Sequence, residues 1–171
     1  MPHKQVHPSV HPGTATRAQR HRRSRGQGLV EMALALPLML LLMLGIIEMG
    51  RLFFAWVTVQ HAARAGTRMA ITGQGEQDGT RLSLITGKAQ EVADNLYGGG
   101  TTITVRSWNG VVAVGAGQAG DPGDPCELIE VEVRYTYHPI VTLITDLMPN
   151  DGQIVLQGRD RKLNEPWIPC P

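Results

Sequence analysis

The sequence predicts an α+β protein in which a long N-terminal transmembrane helix continues into a small globular domain made of a short helix and an antiparallel sheet. Three observations carry this. Leu29 to Ile47 is apolar except for Glu31. A helical pattern then continues without proline to about Gly73. Beyond Gly100 the apolar period changes from three or four residues to two.

Charge and composition divide the chain into three parts: 1–26, 27–72 and 73–171. The first holds Lys4, Arg17, Arg20, Arg22, Arg23 and Arg25 and no acidic residue. Of the 16 basic and 15 acidic residues in the chain, 10 and 15 therefore fall in 27–171, a formal charge of −5 for the body. The Pro-, His- and Arg-rich head has almost nothing to bury and reads as a disordered basic leader. No aromatic residue interleaves with its arginines, so an orientation signal is favoured over nucleic-acid binding. His3, His7 and His11 recur every fourth residue, but Pro2, Pro8 and Pro12 deny them a helix, and no metal site is expected there. Ser24-Arg25-Gly26 stands where the apolar run of a twin-arginine signal would follow Arg22-Arg23.

The second part is one helix, from about Gln27 to Ile71. Its Leu29–Ile47 stretch would rise about 28 Å, close to the ~30 Å hydrocarbon core. The arginines keep the N-terminus cytoplasmic, so the body lies outside a cytoplasmic (inner) membrane as a single-pass protein. Pro37 removes one helical hydrogen bond and predicts a local loosening. Phe53, Phe54 and Trp56 fall where an interfacial aromatic belt belongs. Phe53, Trp56, Val57, Gln60 and Ala63 recur at helical spacing and predict the packed stripe. Ala62, Ala63, Ala65, Gly66 and Ala70 leave two readings open: close approach of another helix, or docking on the chain's own sheet.

The third part opens with a polar loop at 74–81. Leu82 to Leu96 reads as an amphipathic helix ending near Gly98-Gly99-Gly100. Thr101 to Trp108 alternates as a strand, and Val111 to Val114 reads as a second. GAGQAGDPGDP is a loop, in which Asp121 and Asp124 are read as turn residues in preference to calcium ligands. Leu128 to Tyr137 alternates strongly, with Ile129, Val131, Val133, Tyr135 and Tyr137 on one face. Ile140 to Leu147 is ambiguous between helix and strand. Asn150-Asp151-Gly152 signals a turn before a strand at Gln153 to Gln157.

Two cysteines, Cys126 and Cys170, lack the spacing of a zinc knuckle or a thioredoxin motif. In an exported body they would close a disulfide; two unrelated thiols are the alternative. No nucleophile motif or metal triad accompanies His138, read as buried or turn-capping, so no enzyme, cofactor or metal is expected.

Glu31 is the residue that asks for a reason. A carboxylate deep in hydrocarbon costs about 2.5–3.5 kcal/mol. Near the cytoplasmic end it can also snorkel to the headgroups. Cleavage after Gly26 would create a free amine at Gln27, one helical turn from Glu31. Stranded in an apolar bundle, amine and carboxylate would each need a partner, and a stagger between subunits would supply it. Glu48 and Arg51 have two readings as well: a solvated i,i+3 pair at the membrane surface, or a contact to a neighbouring helix.

A basic leader ending in Gly, a glutamate five residues on and a long apolar helix form the pattern of a type IV prepilin. The stretch from Arg25 to Ala70 resembles the TadE-like family, pseudopilins of the tight-adherence (Flp) pilus system. It carries R-G-x-x-x-V-E at Arg25–Glu31, G-I-I-E-x-G-R at Gly45–Arg51 and A-A-R-x-G-x-R-x-A at Ala62–Ala70. Met32 departs from the aromatic residue frequent after that glutamate. VEVRYTYHPIVTLI and IVLQGRDRKLNEP resemble the family's late strands more weakly. The resemblance implies a pilin-like fold and a pseudopilin or minor pilin processed between Gly26 and Gln27. It also implies methylation of the new amine and assembly through the helix and Glu31. The implied partners are a prepilin peptidase, other pilins of the system, the assembly platform and the membrane, with no nucleic acid. An extracellular pilus is a further location. The rival reading is a single-pass anchored extracytoplasmic binding protein unrelated to pili, which leaves Gly26 and Glu31 as coincidence.

Overall fold

The computed structural model describes residues 20–97, 100–141, 145 and 152–170. The histidine-rich stretch, most of Ile140–Leu147 and the Asn150-Asp151 turn lie outside the described residues. The elements are α1 (Arg20–Ala70), α2 (Arg81–Ala93), β1 (Thr101–Trp108), β2 (Gln118–Ala119), β3 (Leu128–Tyr137) and β4 (Ile154–Leu163). Chain contacts divide the protein into two compact units, Met1–Met43 and Leu44–Pro171.

In the first unit α1 begins at Arg20, upstream of Gln27, and passes through Pro37 without ending. From Gly26 to Met43 every residue is exposed. Leu, Met and Val dominate that surface, and the helix is long and apolar enough to cross a membrane. One N-terminal helix of this kind fits a single-pass membrane anchor.

The second unit contains the C-terminal half of α1, from Leu44, together with α2 and the sheet. The strand order is β2-β1-β3-β4, with every neighbouring pair antiparallel. β1 and β3 align Ile103 with Val133 and Val105 with Val131, while β3 and β4 align Val133 with Gly158. Because side chains alternate, Ile129, Val131, Val133, Tyr135 and Tyr137 share one face, and all five are buried. They form the core with Val59, Ala62, Ala63 and Ala70 of α1 and Ile85, Ala89 and Ala93 of α2.

Two expectations fail for identifiable reasons. The buried stripe of α1 runs through Ala55, Val59, Ala62, Ala63, Gly66, Thr67 and Ala70, so only Ala63 of the predicted stripe is fully buried. Phe53, Trp56 and Val57 are exposed, and Gln60 is half-buried at the edge, donating Nε2–H to the Gln157 carbonyl at 3.1 Å. Volume decides this. A Cβ on Gly158 would lie 2.5 Å from the Val59 carbonyl oxygen, and one on Gly66 would lie 3.0 Å from Val131 Cγ1. Helix and sheet meet too closely for large side chains, so the small-residue stripe docks on the chain's own sheet. The second failure is Val111–Val114, which forms bends with exposed valines, while the short β2 lies in the stretch read as loop. Apolar character alone did not make a strand where no neighbour offered a ladder.

Arg81 closes the far end of α1. It is 2% exposed and donates to the carbonyls of Ala70 (3.0 Å) and Gly123, pairs with Glu76 at 3.0 Å and stacks on Trp167 at 4.5 Å. The guanidinium thereby adds a donor to a terminal carbonyl of the helix that otherwise accepts only the Gly73 N–H, at 3.4 Å.

The glycines give opposite stability predictions. Gly158→Ala forces a methyl group against backbone and should destabilise the full chain in detergent by at least about 1–3 kcal/mol. Gly87 is exposed within α2 with nothing within 4 Å of its Cβ direction, so Gly87→Ala should stabilise by roughly 1 kcal/mol. Denaturant unfolding of the two variants checks both signs.

Candidate functional site

The N-terminal junction lies wholly in the first unit. Gly26, Gln27 and Glu31 are exposed on one helix; Gln27 and Glu31 lie one turn apart, and Gln27 donates Nε2–H to Glu31 Oε1 at 3.3 Å. The carboxylate of Glu31 is thus folded back one turn towards residue 27. A Cβ at Gly26 would meet nothing within 4 Å, and the same holds at Gly28. The chain's own packing therefore does not require the glycine at position 26.

The second charged position lies in the other unit, where the helix enters the domain. Glu48 is 7% exposed. It accepts the Tyr137 hydroxyl, the Ile140 backbone N–H at 3.2 Å and Arg51 Nη1 at 3.4 Å. Arg51 also lies 5.5 Å from the Tyr137 ring centroid. The pair is therefore not a solvated one, with Glu48 buried and Arg51 half-buried. The carboxylate is spent inside the chain, holding the end of β3 to α1. Sequence reasoning missed Tyr137 as the partner. The only available signal was a tyrosine at the end of the buried strand face, where a hydroxyl needs an acceptor.

Burial pushes the Tyr137 phenol up to about 12, reinforced by its hydrogen bond to Glu48 and by that carboxylate's charge, while Arg51 opposes the rise. Burial also raises Tyr135, whose hydroxyl donates to the Tyr97 carbonyl at 2.6 Å.

The outer sheet face carries a charge ladder that the alternating pattern of β3 did not reveal. Glu130 and Glu132 are each 1% exposed. Arg106 lies 3.8 Å from Glu130 and 3.3 Å from Glu132, Arg159 lies 3.5 Å from Glu132, and Arg161 and Arg134 pair closely with Glu130 and Glu132 respectively. Burial pushes the Glu132 carboxyl up, but hydrogen bonds from Arg134 and Gln157 and the charges of Arg159 and Arg134 outweigh it and hold the group below its ordinary range. The signal was present in the arginines that alternate on β4, at 159 and 161.

Cys126 and Cys170 are joined, with Cα atoms 5.9 Å apart and a sequence separation of 44. Beside them, Asn164 donates Nδ2–H to the carbonyls of Pro122, Gly123 and Asp124. Asp121 accepts the Ser107 hydroxyl and the Gly123 N–H, which are the local bonds of a turn residue. His138 is exposed. Among the described residues no group of three His, Cys, Asp or Glu side chains is placed to hold a metal.

Residues 26–68 match the family model described as TadE-like protein. This segment is TadE-like. The match opens on the Gly26 junction and takes in Glu31, Glu48 and Arg51, so it spans the anchor and most of the helix that packs on the sheet. A TadE-like segment points to a pilin-like protein of the tight-adherence system, and that family is structural and non-enzymatic. No curated protein and no solved structure matches the chain significantly.

The buried tyrosine gives an alkaline test. A phenol near 10 in the unfolded chain and about 12 in the folded one contributes stability that is complete below pH 10 and is lost as pH rises through 12. Ultraviolet titration of the full chain should show a phenolate step near 12, with unfolding over the same window. Tyr137→Phe should remove that step.

Proposed function

We propose that this protein is a pseudopilin or minor pilin of a tight-adherence pilus system, cleaved between Gly26 and Gln27 and assembled through its N-terminal helix. The observation that carries the reading is the Gln27–Glu31 contact on an exposed apolar helix. After cleavage, the amine of residue 27 and the Glu31 carboxylate would sit one turn apart with no other charge between them. In an apolar helix bundle that pair fixes axial register, either within a subunit or from one subunit to the next. The open space around Gly26 supports the same reading, because a small residue that the fold does not need suits a scissile junction.

The partners are a prepilin peptidase, other pilins and an inner-membrane assembly platform. The domain lies outside the cytoplasm, opposite the basic leader. An uncleaved chain in cells that carry the whole pilus system would instead favour a plain anchored binding protein.

Mass spectrometry of the native protein should find Gln27 at the mature N-terminus, with a methylated amine. Gly26→Leu should abolish cleavage without disturbing the globular domain, since the added side chain meets none of its own chain. Glu31→Gln should insert, fold and be cleaved, yet co-purify poorly with partner pilins and support few pili at matched membrane levels. Loss of one member of a buried ion pair costs about 3–5 kcal/mol, against less than about 1 kcal/mol for a solvated pair. Normal piliation with Gln at position 31 would leave the carboxylate as a snorkelling residue only.

An outward domain should also be oxidised. Non-reducing peptide mapping of the exported protein should recover Cys126 and Cys170 as one linked peptide. Closing a loop of that length should contribute about 4 kcal/mol, which reduction would remove.

A further inference from the structure

We infer that the outer face of the sheet is a docking surface for a second copy of this chain, its arginines received by the acidic end of the neighbour's globular unit. The inference goes beyond assembly through the N-terminal helix and does not depend on cleavage, because both surfaces belong to the Leu44–Pro171 unit.

Glu130 and Glu132 are the acidic residues of this face, and each is 1% exposed. Of the charges there, an approaching molecule therefore meets only Arg106, Arg134, Arg159 and Arg161. Four arginines against two carboxylates leave a formal +2. The arginines spend little of their hydrogen-bonding capacity inward. Arg134 and Arg161 reach Glu132 and Glu130 through Nε, and Arg159 approaches Glu132 through Nε at 3.5 Å. Among the described residues the Nη nitrogens of these three donate to nothing, and 47% or more of each side chain is exposed. Arg161 is also held over the Trp108 ring, 5.1 Å from its centroid. Fixed at Nε, a guanidinium presents its two Nη nitrogens as a fork for a second carboxylate. Arg159 and Arg161 share a face of β4 and set two such forks about 7 Å apart.

The same unit carries the complement. It holds 10 basic and 14 acidic residues, a formal −4, so with +2 on the sheet face the remainder carries −6. Much of that excess gathers at the end of α1. Arg81 joins Glu76 to the Gly123 carbonyl, Asp124 N–H donates to Glu127 Oε2 at 2.9 Å, and Glu165 N–H donates to the Ile71 carbonyl at 3.1 Å. Glu76, Asp78, Asp124 and Glu165 are exposed there, whereas Arg81 is 2% exposed. A cleft of about 420 Å³ opens at this end, lined by Glu76, Asp78 and Trp167 with the backbone of Gly73 and Gly75. Carboxylates beside an indole are the surroundings that receive a guanidinium, by ion pairing and by contact with the ring face.

Charge complementarity therefore selects a second copy as the occupant. The two surfaces differ, so the contact is heterologous, one copy's sheet face on the next copy's acidic end, and it repeats from copy to copy. A single exposed ion pair contributes little, so several forks must engage together, which a four-arginine face allows.

The test is photo-crosslinking of the full chain in detergent. p-Benzoylphenylalanine replaces Thr102, which is exposed on the sheet face opposite Arg134. Ordinary and nitrogen-15 chains are mixed in equal amounts, so that only a contact between copies gives a link of mixed isotope. Mixed links from position 102 should fall within 73–81, 121–128 or 164–168. Their yield should drop at least about fivefold as salt rises from about 0.1 M to about 1 M and the Debye length shortens from about 10 Å to about 3 Å. Asp78→Lys combined with Glu165→Lys should lower the yield in the same way at low salt with an unchanged circular dichroism spectrum, since both side chains are exposed. Absence of mixed links, or mixed links to other parts of the second copy, would overturn the inference. A yield indifferent to salt and to the paired substitution would overturn it too, because association through the apolar helices persists under both. Links in cells from position 102 to a different acidic protein or an anionic polymer, in place of the chain itself, would assign the arginines to that partner and remove the second copy as occupant.

Discussion

The approach of α1 to the sheet is the constraint on which the rest of the globular unit depends. Val59 backbone lies where a β-carbon on Gly158 would stand, and a β-carbon on Gly66 would crowd Val131 at 3.0 Å and Ala89 at 3.2 Å. Such an approach is possible only because the inner face of the helix carries Ala, Gly and Thr. The two hydroxyls this buries do not go unpaired: Thr58 donates to the Phe54 carbonyl and Thr67 to the Ala63 carbonyl, both at 2.8 Å. Large side chains are displaced to the outer face as a direct result. The exposed Phe53, Phe54, Trp56 and Val57 are thus the other side of the same packing decision.

Glu48 stands near the start of the part of α1 that belongs to the globular unit. A carboxylate so buried survives only if its oxygens are occupied. Tyr137, the Ile140 N–H and Arg51 occupy them. The arrangement ties the last residues of β3 to α1. On the opposite face of the sheet, four arginines enclose Glu130 and Glu132 across three strands. There the charges do the work that a second apolar layer does in a larger domain. The sheet is thereby finished on both faces: apolar against the helices and ion-paired on the other side.

The sequence by itself determined the architecture. The nineteen residues Leu29–Ile47, apolar except for Glu31, are long and apolar enough to cross a membrane, and that is legible without the fold. Strict alternation in Leu128–Tyr137 specified a strand with one buried face, and the edges of β1 and β3 were legible to the residue. The pattern of Gly26, Gln27 and Glu31 is local, a matter of position along one helix at one end of an apolar run. What only the tertiary structure decided depends on distances between remote segments. Which stripe of α1 is buried was settled by the gap to β4. The partner of Glu48 was settled by β3 arriving 89 residues later. The failure of Val111–Val114 to pair was settled by where β2 found a place on β1. Periodicity reports which residues share a face, but the volume and hydrogen-bonding groups waiting opposite that face are set by the folded chain.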